Sequence, residues 1–189
     1  MVRLVATAML AAVAFVIMLL EFPLPFLPPY LKMDFSDLPA VLGAVLFGPW
    51  CGVVVELVKN LLEMLVRGIG SQMGFGNLQN FLIGVAFVLP YALLYRRMER
   101  TEKKAVIRLL LPVAAGVATM LVVGFFSNLV VAPLFFEVFL GNPLGPGEAL
   151  AAAWLSVPFN AIKGVVLGAL CVLLMQVAVP PCRRALHRL

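Results

Sequence analysis

Histidine is almost missing from this sequence: His187, in the tail, is the only one. His-based acid–base catalysis and His-based metal centres therefore have almost no raw material. Neither a Ser-His-Asp set nor a His-Glu-x-x-His motif is available. No Gly-x-x-x-x-Gly-Lys-Ser/Thr stretch occurs, so the chain cannot hydrolyse ATP by that route. Cys51, Cys171 and Cys182 have no ligand-like spacing, and no disulfide framework is implied. An enzyme is not expected, and neither a cofactor nor a metal is implied. There is no internal repeat, which leaves an inverted-repeat transporter unsupported.

Charge is scarce as well. Charged residues fill 12% of the 189 positions, and hydrophobic residues fill 63%. Soluble domains sit near 45–50% apolar on a wider count. A chain of this size cannot hide that much apolar surface in its own core, so lipid must solvate much of it. The net charge of +5 is unevenly placed. Arg96, Arg97, Arg100, Lys103, Lys104 and Arg108 share one segment, and Arg183, Arg184 and Arg188 lie in the tail. This is the positive-inside pattern of membrane proteins. No aromatic residues interleave with these cations, so nucleic acid is not an expected partner.

What the chain does have is long apolar runs. Helices are expected at about 4–22, 37–48, 50–67, 77–97, 107–131 and 149–177. Pro23 and Pro25 end the first. Ser36 or Asp37 caps the second, with Pro39 in its first turn. That helix stops at Gly48-Pro49, and its twelve residues would cover only about 18 Å. Residues 68–76 form a Gly-rich loop, Pro133 and residues 141–147 another, and Pro180-Pro181 ends the last helix. The run from Leu4 to Leu20 is followed by no small-x-small cleavage pattern, so it reads as a retained helix. The expected fold is an all-α integral membrane protein, one domain over 1–189. It has six transmembrane helices, a short helix 2 and both termini cytoplasmic, in the cell membrane and in contact with lipid.

Polar groups inside lipid cost about 2.5–3.5 kcal/mol each for Lys or Asp unless they pair or face a cavity. Glu56, Lys59, Asn60 and Glu63 share one face of helix 3. They read either as an ion network that fixes packing or as ligand contacts. Asn160 and Lys163 lie one turn apart on helix 6, with nothing nearby in sequence to neutralise Lys163. Asn128 sits toward the outer end of helix 5. Two amides and an ammonium suit a flat heterocycle with imide-like edges, because an amide donates to a carbonyl and accepts from a ring N–H together. The competing reading is Asn-mediated helix–helix hydrogen bonding. Asn77, Gln79 and Asn80 open helix 4, where capping explains Asn77 and pocket lining is an alternative for Gln79 and Asn80. Asp34 and Asp37 read as loop caps in preference to a metal pair. Ala8 and Ala12 form a small-x-x-x-small pair on helix 1 that admits a close helix neighbour, inside or outside this chain. Gly164 and Gly168 form another, assigned to internal packing.

Several blocks together resemble a known family. They are Lys32-Met33-Asp34-Phe35-Ser36-Asp37-Leu38-Pro39, Leu46-Phe47-Gly48-Pro49, and Gly52-Val53-Val54-Val55-Glu56-Leu57-Val58-Lys59-Asn60. Asn77-Leu78-Gln79-Asn80 and Phe159-Asn160-Ala161-Ile162-Lys163-Gly164 extend the likeness. The chain resembles the substrate-binding S component of energy-coupling-factor vitamin transporters, with the riboflavin-specific branch the nearest. The resemblance implies an outward-facing vitamin pocket, with riboflavin or FMN as transported ligand. It also implies docking to a membrane T component with two ATPases, and toppling of the subunit in the membrane. It implies flavin-ring contacts from Asn128, Asn160 and Lys163, closure by the 23–38 segment that holds Asp34 and Phe35, and T-component contact at Ala8 and Ala12. An S component for another vitamin and a non-transport membrane assembly factor are the alternatives.

Overall fold

The computed structural model describes residues 1–26, 31–68, 74–102 and 104–186. The expected loop centre at 69–73, together with Tyr30, Lys103, His187 and Arg188, lies outside the described residues. The chain is helical almost throughout: α1 (Val2–Met18), α2 (Asp37–Phe47), α3 (Pro49–Arg67), α4 (Phe75–Thr101), α5 (Ala105–Leu140), α6 (Pro146–Val177) and α7 (Val179–Leu186). Between α1 and α2 lies a two-stranded ribbon, β1 (Phe22–Pro23) and β2 (Lys32–Met33). It is antiparallel, with Phe22 opposite Met33 and Pro23 opposite Lys32.

Three boundaries depart from expectation for physical reasons. α1 stops at Met18, not near 22, because the following residues turn into the ribbon. α5 runs through Pro133 to Leu140, where a loop was expected. Proline is tolerated inside a membrane helix because local adjustments re-satisfy the freed backbone groups. The helix ends instead at Gly141, whose φ of 64° is left-handed and suits glycine. Pro180 and Pro181 do not close the chain's helical part. They open α7, where the first-turn N–H groups have no intrahelical partner to lose. Arg183 of α7 grips Glu99 of α4 through two hydrogen bonds of 2.5 and 2.8 Å.

α4, α5 and α6 are long and apolar enough to cross a membrane by length and composition. α1, with 17 residues, and α2, with 11, are shorter apolar helices. The core gathers Ala11 and Ala14 of α1, Ala40, Val41 and Ala44 of α2, and Val55 of α3. It also takes in Phe87, Val88 and Tyr91 of α4, Met120 of α5, and Leu167 and Cys171 of α6. Small residues set how closely the helices approach. A Cβ at Gly52 would lie 2.7 Å from both Ala44 and Val88, so α2, α3 and α4 meet where only glycine fits. Gly164 faces Val117 and Gly168 faces Val113, which places that pair in the α5–α6 contact, as expected of internal packing. Elsewhere large apolar side chains such as Leu4, Trp50, Leu110, Val122, Trp154 and Val165 are exposed, as lipid-facing residues are.

Candidate functional site

The loop after β2 folds back into the bundle and carries its charges inward. Asp34 Oδ1 accepts from the Ser36 N–H at 2.9 Å and from the Ser36 hydroxyl, which makes the turn into α2. Ser36 occupies the N-cap of α2, one of the two expected positions, but it spends its side chain on Asp34 and makes no capping hydrogen bond. The free oxygen of Asp34, Oδ2, lies 3.0 Å from Lys163 Nζ of α6. Lys163 also lies 3.4 Å from Asp37 Oδ2. Lys163 is thus neutralised, contrary to the view from its own neighbourhood in sequence. Burial by itself would raise the Asp34 carboxyl. The Lys163 and Lys59 ammonium groups outweigh it and hold Asp34 well below the usual carboxylate range.

Lys59 of α3 completes the cluster. Its ammonium pairs with Asp37 Oδ1, donates to Ser36 Oγ at 2.8 Å and sits 2.8 Å from Glu56 Oε2. Lys59, Glu56 and Asp37 are 0% exposed. Three carboxylates and two ammonium groups thus meet, joining the loop after β2 to α2, α3 and α6. Glu56 Oε1 has no partner among the described residues. α4 closes over these carboxylates at Gly84, whose missing side chain makes room for the Glu56 carboxylate.

A line of amides leads away from Lys163 along α3 and α4. Lys163 Nζ donates to Asn80 Oδ1 at 3.4 Å, and Asn80 Nδ2 donates to Asn60 Oδ1 at 3.3 Å. Asn77 Nδ2 donates to the Asn60 carbonyl at 3.0 Å and also to Glu63. Asn77 was expected to cap α4, but that position belongs to Gly74, at φ 75°. Its amide instead ties α4 to α3.

On the α5–α6 side, Gly124 brings two of the expected residues together. The Asn160 amide packs into the space a side chain at Gly124 would fill. Asn128 Nδ2 donates to the Gly124 carbonyl at 2.8 Å. Asn160 is 1% exposed, and its Oδ1 has no hydrogen-bond partner among the described residues. Lys163 sits one turn further on the same face of α6. Gly124 was missed in the sequence, where its one signal is a glycine one turn before Asn128 in an apolar helix.

The remaining expected residues take no part in these side-chain hydrogen bonds. Phe35 is half-buried and tilts against Phe22 of the ribbon, with ring centroids 6.3 Å apart. Gln79 is half-buried and outside the amide line. Ala8 and Ala12 are exposed on α1. They line a groove of about 550 Å³ between α1 and α3, with Thr7, Trp50, Val54 and Leu62.

Residues 2–175 match the family described as ECF transporter, substrate-specific component. The chain is 38% identical over 167 residues to the riboflavin transporter FmnP of Bacillus subtilis (strain 168), covering 87% of this chain and 85% of the relative. It is 36% identical over 174 residues to the riboflavin transporter RibU of Staphylococcus aureus (strain TCH60), covering 92% and 88%. A solved structure described as the S component of a bacterial ECF transporter superimposes with a TM-score of 0.74 at 34% identity, over 92% of this chain and 93% of that one. This chain therefore belongs to the family of ECF transporter substrate-specific components.

Proposed function

We propose that this chain is the riboflavin-binding membrane subunit of an energy-coupling-factor transporter. Its relatives are named riboflavin transporters, and the likeness spans most of both chains. The observation that carries the reading is Asn160. A buried amide oxygen left without a partner costs about 1–3 kcal/mol. A bound heterocycle with a ring N–H beside a carbonyl would satisfy it. Asn128, Asn160 and Lys163 would then hold the flavin edge, and the Phe35 ring would offer an apolar wall. The ribityl hydroxyls would run along Asn80 and Gln79 toward the ribbon, and Asp34 would join loop to ligand through Lys163. FMN shares the same ring and is the other ligand of this reading.

Purified protein should quench flavin fluorescence on binding. Asn160→Ala combined with Lys163→Ala should abolish the quenching at riboflavin concentrations that saturate the unaltered protein. Undiminished affinity in that variant would remove both residues from the site.

In this reading the bundle crosses the membrane six times. Both termini face the cytoplasm, beside Arg96, Arg97, Arg100 and Lys104, in keeping with the positive-inside rule. The 11-residue α2 is the short element. Energy must come from outside the chain, so uptake would depend on the T component and its two ATPases. The groove at Ala8 and Ala12 is the proposed docking face, since small residues let another helix approach closely. Ala8→Trp with Ala12→Trp should abolish co-purification with the T component and leave riboflavin quenching intact. Normal complex formation by that variant would rule this face out.

A further inference from the structure

A second charged cluster sits at the ribbon end of the bundle, outside the flavin-edge contacts. Glu21, just past α1, accepts from Lys32 Nζ of β2 at 2.7 Å. The same oxygen, Glu21 Oε1, accepts from Arg67 Nη1 at the end of α3. Arg67 Nε also lies 3.3 Å from Glu63 Oε1. Glu63 is the carboxylate reached by Asn77, so the cluster continues the amide line that starts at Lys163. Arg67 lies about two turns beyond Asn60, roughly 10 Å along α3. A flavin held by its ring edge at Lys163 would send its polyol chain along this line of amides toward Arg67.

We propose that Glu21 is a charge-selectivity residue: it neutralises Lys32 and Arg67 at the pocket mouth, so that the pocket prefers a ligand ending in a hydroxyl over one ending in a phosphomonoester. The inference rests on the flavin reading above. Two cations face two carboxylates here, so the mouth offers a phosphate no net positive charge. A phosphomonoester carries about −1.5 to −2 charge at neutral pH. It would have to displace Glu21 from both cations or sit beside it. The Glu21 side chain is 14% exposed, against 38% for Lys32 and 32% for Arg67. The carboxylate is thus the inner member of the triad and the least screened by solvent ions.

The test measures riboflavin and FMN affinity in parallel on the purified chain, at low and at high salt. Glu21→Gln should shift the affinity ratio toward FMN by about tenfold, and salt should shrink that shift. Lys32→Gln combined with Arg67→Gln should move the ratio the other way, toward riboflavin. This second variant leaves Glu21 in place and guards against a Glu21 variant that fails to fold. Opposite, salt-sensitive shifts in the two variants support the proposal. A ratio within about threefold of the unaltered protein in the folded variants overturns it, as does a shift that ignores salt. If the unaltered protein binds neither flavin, the functional reading itself has failed. If it binds riboflavin and the ratio stays put, only the role of Glu21 has.

Discussion

Lys163→Met is expected to weaken riboflavin binding by about ten- to a hundredfold and to destabilise the ligand-free protein as well. Losing a hydrogen bond from a charged donor to the ligand costs about 1.5–3 kcal/mol of binding, and each 1.4 kcal/mol is a factor of ten. The stability loss has a separate origin. Without Lys163 the Asp34 carboxylate loses its 3.0 Å partner. Removing one member of a buried pair costs about 3–5 kcal/mol, because the remaining charge is stranded. A double variant separates the two effects. Asp34→Asn on top of Lys163→Met deletes the stranded carboxylate and should restore most of the thermal stability. It cannot restore a cation at the flavin edge, so affinity should stay low. Flavin titration and thermal unfolding of the four proteins close the cycle. Recovery of affinity in step with stability would make Lys163 a packing residue only.

The same pair marks where sequence reasoning ran out. The helical segments were legible because each is an apolar run bounded by charge, glycine or proline. Asn128, Asn160 and Lys163 stood out as polar residues inside such runs. What the sequence did not display was the partner of Lys163. Asp34 lies 129 positions away, in the loop after β2, and nothing in the sequence pairs the two. Asp37, which the sequence alone presents as a cap, is an ion-pair partner of two lysines. Proline misled twice, for one reason. In the sequence Pro133 and Pro180-Pro181 read as stops, which holds for helix interiors in water. Pro133 sits in an apolar helix that runs on past it, and Pro180 and Pro181 sit in a first turn.

The face holding Glu56, Lys59 and Asn60 was left open in the sequence between packing and ligand contact, and the geometry favours packing for Lys59. Its ammonium is enclosed by Asp37, Glu56 and Ser36 and is 0% exposed. α4 is laid over the cluster at Gly84, which leaves little space for a ligand atom beside Glu56. Lys59→Met should therefore strand the buried Glu56 carboxylate, leave Asp37 only its 3.4 Å pairing with Lys163, and cost about 3–5 kcal/mol. For a chain of this length that lowers the unfolding midpoint by about 6–20 °C. Removing the two carboxylates that Lys59 balances, with Asp37→Asn and Glu56→Gln in the same protein, should recover most of that loss. A neutral cluster of similar shape needs no ammonium to balance it. In the repaired triple variant riboflavin affinity should lie within a few-fold of the unaltered protein, because Asn160 and Lys163 are untouched and Asp34 still pairs with Lys163. Thermal unfolding and flavin titration read the two quantities independently. A Lys59→Met protein that keeps its unfolding midpoint but no longer quenches flavin would move Lys59 from the scaffold into the binding site.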